Sequence, residues 1–526
     1  MRIRLAVPQN EFFSLSRMRG VVMAALSVAS SHGRMQLLVN DSSDPVTAGE
    51  AEYFLRIIRW LDLCRPDDVR FQSRFIDKYR EAAARLITGS AAYCDNPDRD
   101  SRRVVRFQLP PPDRLGGVVR SRGSVGLELD PRLPVIISNR GVRYSPVGGR
   151  KRQNTALTGM HDLVLLDVSG TVLFHMKREI DEVLRGRVCR IRGAVKAVFT
   201  RYQVVCDDML SLNEYRMPLD SLADPILLDG GGVPSDLLTN TLDDIVFGTS
   251  VIFCPVTDVT ALAYQTLFFA ALGYPAPAIM ALPPVEPDDI RVDQLRRSGY
   301  LADSVISVLA QTGYTTGQRP MLRSVRFLME HFEIDRISDR PAVLDREFLL
   351  RHNREDLRDL PPENFAFMAA PFCRPLSSRP GYPMIAALMQ PLTDTLADAR
   401  QWNRIFSDDW SLSPEEQQLR CPDDEMIRLA LQDLIFDLEE RESLEPVEVR
   451  RLLNELESRY DRERGVLARA VSLVLTGWEV GLDVAQLIRV IGPAGTARRL
   501  RRVLEWPPAE NTGIAAGAVA PEADQA

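Results

Sequence analysis

Paired cysteines, clustered histidines and long apolar runs are all missing from this 526-residue chain. The seven cysteines (Cys64, Cys94, Cys189, Cys206, Cys254, Cys373 and Cys421) stand singly, with no CxxC pair. That excludes a disulfide framework read from spacing and predicts reduced, packed thiols in a cytoplasmic protein. The five histidines have no metal-ligand spacing, so no metal site is expected. No run of about 18 apolar residues occurs, which excludes a membrane-spanning helix on length grounds. Residues 1–9 read as a strand, not as a charged region followed by a secretory apolar stretch. Nor is there an excess of positive charge. A net charge of -7 argues against a general nucleic-acid coat, while leaving room for a local basic groove.

What is present, 45% hydrophobic and 26% charged residues, is the composition of a globular protein with large cores. The length predicts three or four domains. Arg2 to Val7 reads as a short apolar strand. A helix follows, with Met18, Val21, Val22, Ala25, Leu26 and Ala29 on one face and Gly33 as its stop. Met35 to Val39 is a second buried strand, ending in Asn40-Asp41. A β-α-β start of this kind implies a parallel sheet with right-handed crossovers. Helices are expected around 48–63 and 73–88. Residues 101–152 hold 12 Lys/Arg against 3 Asp/Glu among short Val/Ile/Leu strands, and 177–201 is also basic. We read 101–218 as an inserted β-containing subdomain. Strand-helix alternation resumes near Ile226 and includes a helix at 260–272. Beyond Pro284 the pattern turns helical, with one helix predicted over 292–312, another over 324–332, and a start near Ser443 with Pro446 just inside it. Residues 507–526 read as a disordered tail.

Several stretches resemble the bacterial glutamyl-tRNA synthetases in order and with little gapping. The opening RLAVPQNEFFSLSRMRGVVMAALSVASSHGRMQLLVND resembles the family's first strand, signature helix and second strand, followed by YFLRIIRWLDL and FQSRFIDKYREAAARLITGSAAYC. GGGVPSDLLTNTLDDIVFG and YQTLFFAALGYPAP resemble the second half of the split nucleotide fold. RRSGYLADSVISVLAQTGY and ISDRPAVLD resemble the stem-contact region, and RAVSLVLTGWEVGLDVAQLIRVIG the end of the anticodon-binding domain. The resemblance implies an α/β, Rossmann-like class I synthetase body split by the insertion, plus a helical stem-contact and anticodon-binding-like domain. The expected partition is 1–100 and 219–284 for the two halves of the nucleotide fold, with 101–218 between them. Residues 285–355 form the stem-contact-like region, 356–506 the anticodon-binding-like domain, and 507–526 the tail.

The same resemblance defines what has changed. A His-Ile-Gly-Gly-like tetrapeptide should open the first helix, where a helix N-terminus and an imidazole stabilise the ATP phosphates. Here it reads Ser14-Leu15-Ser16-Arg17. A lysine loop should clamp the triphosphate, yet between Leu282-Pro283-Pro284-Val285 and Val292 stands Glu286-Pro287-Asp288-Asp289-Ile290-Arg291. Carboxylates facing a polyanion oppose its binding. No catalytic residue is therefore assigned, and ATP and Mg are expected only if activity is retained. Arg4 matches the family arginine that pairs with the substrate side-chain carboxylate. The residue holding the substrate amino group falls at Asn40, the family tyrosine at Asp236, and the Gly-Glu-Asp-His-like stretch at Pro255-Val256-Thr257-Asp258. Asp243 and Asp244 match family positions and read as a cap or fold element. With only Cys94 left in the region where some relatives bind zinc, no zinc is expected.

Arg120, Arg122, Arg150, Lys151 and Arg152, and the tract containing Arg498 and Arg499, are the candidate RNA contacts. The bland readings are a solvated surface for the first group and a complement to the last helix dipole for the second. Three functions follow. One is an accessory protein that binds tRNA of the glutamate type, or a protein partner, without activating glutamate. The second is an ATP-dependent aminoacyl ligase with a rebuilt site, in which Arg17 and Arg19 replace the missing cations. The third is an interaction protein without RNA or nucleotide. Arginines facing an open pocket would favour the second; Phe12, Phe13 and Leu15 filling that pocket would exclude it.

Overall fold

The computed structural model describes residues 1–8, 13–63, 68–95, 103–149, 151–256, 259–287, 289–314, 324–407, 410–477 and 483–505. The expected tail, together with Phe12, Cys64, Asp288, Arg150 and Asp258, lies outside these residues. None of the six described cysteines is in a disulfide. The chain divides into two compact units, one of 1–295 with 305–345, the other of 296–304 with the described residues from 346 on.

In the first unit, strand β1 (Arg2–Pro8) is followed by helix α1 (Leu15–Ser31) and strand β2 (Arg34–Asn40). Ile3, Leu5, Val7, Leu37, Leu38 and Val39 are all buried, as expected of parallel strands covered on both faces. Ser14 caps α1, its Oγ accepting the Arg17 amide at 3.4 Å. The helix stops one residue before the expected glycine, at His32, which takes the left-handed conformation with φ 50°. Gly33 has a different reason to be small: a Cβ there would lie 2.4 Å from the Met1 carbonyl oxygen. Helix α2 (Ala48–Leu61) begins with a Thr47–Glu50 capping box, and strand β3 (Val69–Phe71) leads into helix α3 (Ile76–Thr88). Strands Val251–Pro255 and Ala278–Leu282 complete a five-stranded parallel sheet on the far side of β1. The nucleotide-fold architecture expected from the β-α-β opening is therefore present.

Between the halves lies β-rich structure. The long strands Val119–Leu129 and Val195–Asp207 pair antiparallel, and a core including Ile137, Leu165, Phe174 and Phe199 fills the subdomain. Its roots are tied to the body in two ways. Val104–Phe107 pairs with both Ala92–Asp95 and Ile226–Leu228. The Asp208 carboxylate accepts the Ala281 amide at 3.0 Å on the edge strand of the parallel sheet.

The single helix expected over 292–312 is in fact two, Val292–Arg297 and Ala302–Gln311. Gly299 breaks it at φ 82°, and its carbonyl accepts the Leu396 amide at 2.9 Å. A Cβ at this position would meet the Ala397 nitrogen at 2.4 Å. The second unit is otherwise helical. Trp402, Phe365, Leu431, Leu434, Val471 and Leu500 lie in one core. Pro446 opens the helix Pro446–Arg459, as its position predicts.

Candidate functional site

In a parallel sheet of this kind ligands bind beyond the carboxyl ends of the strands, near the N-termini of the following helices. The first such place is the N-terminus of α1. There the segment after strand Ala278–Leu282 lies directly on the helix start. Ser16 Oγ accepts the Val285 amide at 2.9 Å, the Phe13 carbonyl accepts the Val292 amide at 2.9 Å, and Ser14 forms a β-bridge with Arg291. The Arg291 guanidinium stands 5.3 Å from the centroid of the Phe13 ring and bonds Asp293 at 3.1 Å. Tyr53 donates to the other Asp293 oxygen at 3.2 Å and packs edge-on against Phe13. Phe13 and Leu15 are buried.

Arg19 does not face this end of the helix as an open cation. It is 1% exposed, and its guanidinium donates to the carbonyls of Thr312, Pro283 and Gly313 at 2.8, 3.1 and 3.3 Å. Burial lowers its pKa to about 10. Arg17 is also buried. A triphosphate needs exposed amide donors and free cations; the Ser16 side chain, the Phe13 ring and the segment bonded to them do not fit one here.

The second place is the carboxyl end of β2, where Asn40 meets Asp236; Arg4 lies apart from them, opposite Gln36 in the sheet, whereas Asn40 is opposite Pro8. Arg4 is 3% exposed and already engaged. Its Nε donates to Asp244 Oδ1 at 3.0 Å, and its Nη2 to Asp244 Oδ2 at 2.6 Å and Gln265 Oε1 at 3.1 Å. Burial opposes its charge, but the Asp244 carboxylate more than reverses this and its pKa is raised. Asp244 also accepts Gln265 Nε2 and the Thr249 hydroxyl. Asp243 is held by Gln72, Tyr79 and Arg70, while burial raises its pKa. The acid pair is thus a fold element that ties α3, β1 and the helix Asp236–Phe247 together.

Asn40, at the end of β2, is hydrogen-bonded to Asp236, the first residue of that helix. Burial raises the Asp236 pKa and the Asn40 amide opposes the rise. The structure therefore brings these two sequence-predicted positions together. It leaves two buried acceptors beside them without partners, Asn40 Oδ1 and Ser235 Oγ. The sequence does not single out Ser235, because a serine before a helical pattern carries no signal beyond capping.

The basic candidates separate. Arg120 pairs with Glu214 at 2.6 Å, and Arg122 is exposed on the same strand. Lys151 is exposed, and Arg152 donates to the Pro134 carbonyl at 3.0 Å in another sheet of the insertion. In the helix Pro493–Leu504, Arg498 is exposed, whereas Arg499 is 9% exposed. Arg499 donates to the carbonyls of Ile405 and Ser407 at 2.6 and 2.9 Å, with Trp410 beneath it. The Arg499 guanidinium is thus engaged with carbonyls inside the helical unit. Arg501 and Arg502 occupy the last turn, where positive charge complements the dipole.

Comparison with known proteins adds three findings. Residues 364–504 match a family model described as an anticodon binding domain. Over 302 residues the chain is 24% identical to a glutamate--tRNA ligase of Anaeromyxobacter sp. (strain K), covering 55% of this chain and 63% of that protein. It is 25% identical over 318 residues to the corresponding ligase of Ectopseudomonas mendocina, covering 57% and 62%, and 27% identical over 299 residues to one from Rubrobacter xylanophilus, covering 54% and 68%. The first two matches thus take in a little under two thirds of those relatives. A crystal structure of a glutamate tRNA ligase from Elizabethkingia meningosepticum, in complex with its amino acid, superimposes with a TM-score of 0.63 at 15% identity. That match covers 96% of this chain and 99% of the other, a likeness of fold.

Proposed function

Because the chain belongs to the glutamyl-tRNA synthetase family and has the class I synthetase fold, we propose that it binds tRNA without activating glutamate. The observation that carries this reading is the covered helix start. Ser14, Ser16 and Phe13 are bonded to Arg291, Val285 and Val292, where a triphosphate would need amide donors and lysines. Removal of one preorganised donor of this kind costs ~10²- to 10³-fold in rate. Here the imidazole, the glycines and the lysine loop are replaced together. Arg4, neutralised by Asp244, is a poor receptor for a glutamate carboxylate. The anticodon-binding-domain match and the exposed Arg122, Lys151 and Arg498 support RNA as the ligand that remains. In this role the protein is a regulatory or biosynthetic accessory.

The test is pyrophosphate exchange with ATP and glutamate, beside filter binding of bulk tRNA at stated salt. The expected result is background exchange and tRNA binding that weakens steeply with salt. Glutamate-dependent exchange would refute the loss of activation. Failure to bind tRNA would refute the RNA reading and direct attention to a protein partner. A second reading, a ligase rebuilt for another amino acid, is favoured by one observation. Asn40 Oδ1 and Ser235 Oγ are acceptors without donors beside the Asp236 carboxylate, an arrangement suited to a ligand ammonium. Exchange supported by a different amino acid in a panel would establish it.

A further inference from the structure

A cavity of about 310 Å³ lies away from the strand ends, at the root of the insertion. It is built where the turn after α3, the chain running on from strand Val104–Phe107, the turn at 157–161 and the helix Met176–Leu184 meet. Its volume falls at the lower end of the range for small-molecule sites. Phe107, Leu109, Leu157, Ile180 and Leu184 make the wall largely apolar. Arg114, exposed, supplies a cation, and none of the residues lining the cavity is acidic. Gln108 and Ser90 add neutral polar groups.

His161 also contributes to the cavity wall. It is 5% exposed, and its Nδ1 is buried with no hydrogen-bond partner. Asp162 stands 3.9 Å from that nitrogen, beyond hydrogen-bonding distance, and both its oxygens accept the Thr200 amide. Tyr202 fixes the ring edge-on. An apolar wall with one guanidinium beside it and no acid on the lining together describe a ligand. We propose that this cavity binds a small amphiphilic carboxylic acid, with its apolar body against Phe107, Leu157 and Ile180 and its carboxylate held by Arg114.

Octanoate titrated into the full-length protein by calorimetry tests the site, with 1-octanol as the uncharged control. Octanoate should bind with a Kd on the order of 0.1–1 mM, as expected for a ligand of this size. Arg114→Gln, at an exposed position where substitution leaves the core untouched, should weaken binding at least ~10-fold, the worth of one charge-assisted hydrogen bond. Octanol should bind more weakly than octanoate by the same factor. Leu184→Trp, which fills the half-open side, should abolish binding. Absence of octanoate binding, equal binding of octanol, or binding that Arg114→Gln leaves unchanged would each overturn the proposal. Should Leu184→Trp fail to fold, the Arg114→Gln and octanol comparisons decide alone.

Discussion

Replacing Asp244 by Asn should be among the most damaging single changes in the first unit. Arg4 and Asp244 are 3% and 1% exposed, joined by two hydrogen bonds of 3.0 and 2.6 Å. Two buried charges repay their desolvation only while both are present, so removing one partner of such a pair costs about 3–5 kcal/mol. Asn keeps an acceptor for Arg4 and for Thr249, which puts the expected loss near the lower end, about 3 kcal/mol. The double replacement Arg4→Met with Asp244→Leu, which removes both charges, should be less damaging than the sum of its two single replacements, the remaining loss coming from Gln265 and Thr249, which lose their acceptor. Equilibrium urea unfolding followed by circular dichroism measures both variants beside the single replacements Arg4→Met and Asp244→Leu. A loss below about 1 kcal/mol for Asp244→Asn would refute the reasoning, as would additive losses in the double variant. There is also a ligand readout. If millimolar glutamate stabilises the parent protein but not Arg4→Met, Arg4 serves a ligand in spite of Asp244, and its assignment to the fold is wrong.

Other expectations follow from the same geometry. Arg499→Ala should destabilise the helical unit by roughly 1–3 kcal/mol by removing the donor to the buried Ile405 carbonyl, as thermal unfolding would register. Arg498→Ala should leave stability unchanged within ~0.5 kcal/mol and, if it touches RNA, lower the salt slope of tRNA binding by about 1. Asp224 has its pKa pushed up from 3.8 to about 6 by burial, against hydrogen bonds from Leu109 and Tyr93 and the charge of Arg106. The native state then holds a proton that the unfolded chain has released, so its contribution makes stability fall as pH rises from about 4 to 6. Asp224→Asn should flatten that slope in pH-dependent urea titrations, by roughly 1–3 kcal/mol across the window. Gly299→Ala should destabilise through both the positive φ and the 2.4 Å approach to Ala397, measured as a lower urea midpoint.

Local pattern carries much of the architecture. The alternation of β1, α1 and β2 is written in residues whose burial follows their spacing, so the periodicity alone assigns Ile3, Leu5, Val21, Val22 and Leu37 to the core. The capping role of Ser14 and the proline at 446 are equally local. What escapes such a reading is set by partners far away in sequence. The break at Gly299 has a local stop, Arg296-Arg297 ahead of a glycine, and a distant one, the backbone at 396–397 that leaves no room for a Cβ. Arg4 and Asp244 are 240 residues apart, and Arg499 reaches a carbonyl 94 residues back. Residue type reveals a charge in each case, and only the fold reveals what that charge already holds.

That distinction decides how the candidate site is read. From sequence, Arg17 and Arg19 are the natural replacements for the lost phosphate-binding cations, because they lie on the right helix near the right end. Arg19 instead closes three carbonyls contributed by residues 283, 312 and 313, and so joins the segment that covers α1 to the helix itself. A rebuilt triphosphate site would have to give up these bonds together with those of Ser16 and Phe13 to the same segment. Each buried carbonyl left unpaired would cost about 1–3 kcal/mol, and the gain from a phosphate would have to exceed their sum. The covering of α1 and the burial of Arg19 are therefore one feature of the fold. Under the proposed reading, that feature would have to come apart before Arg19 could be offered to a phosphate.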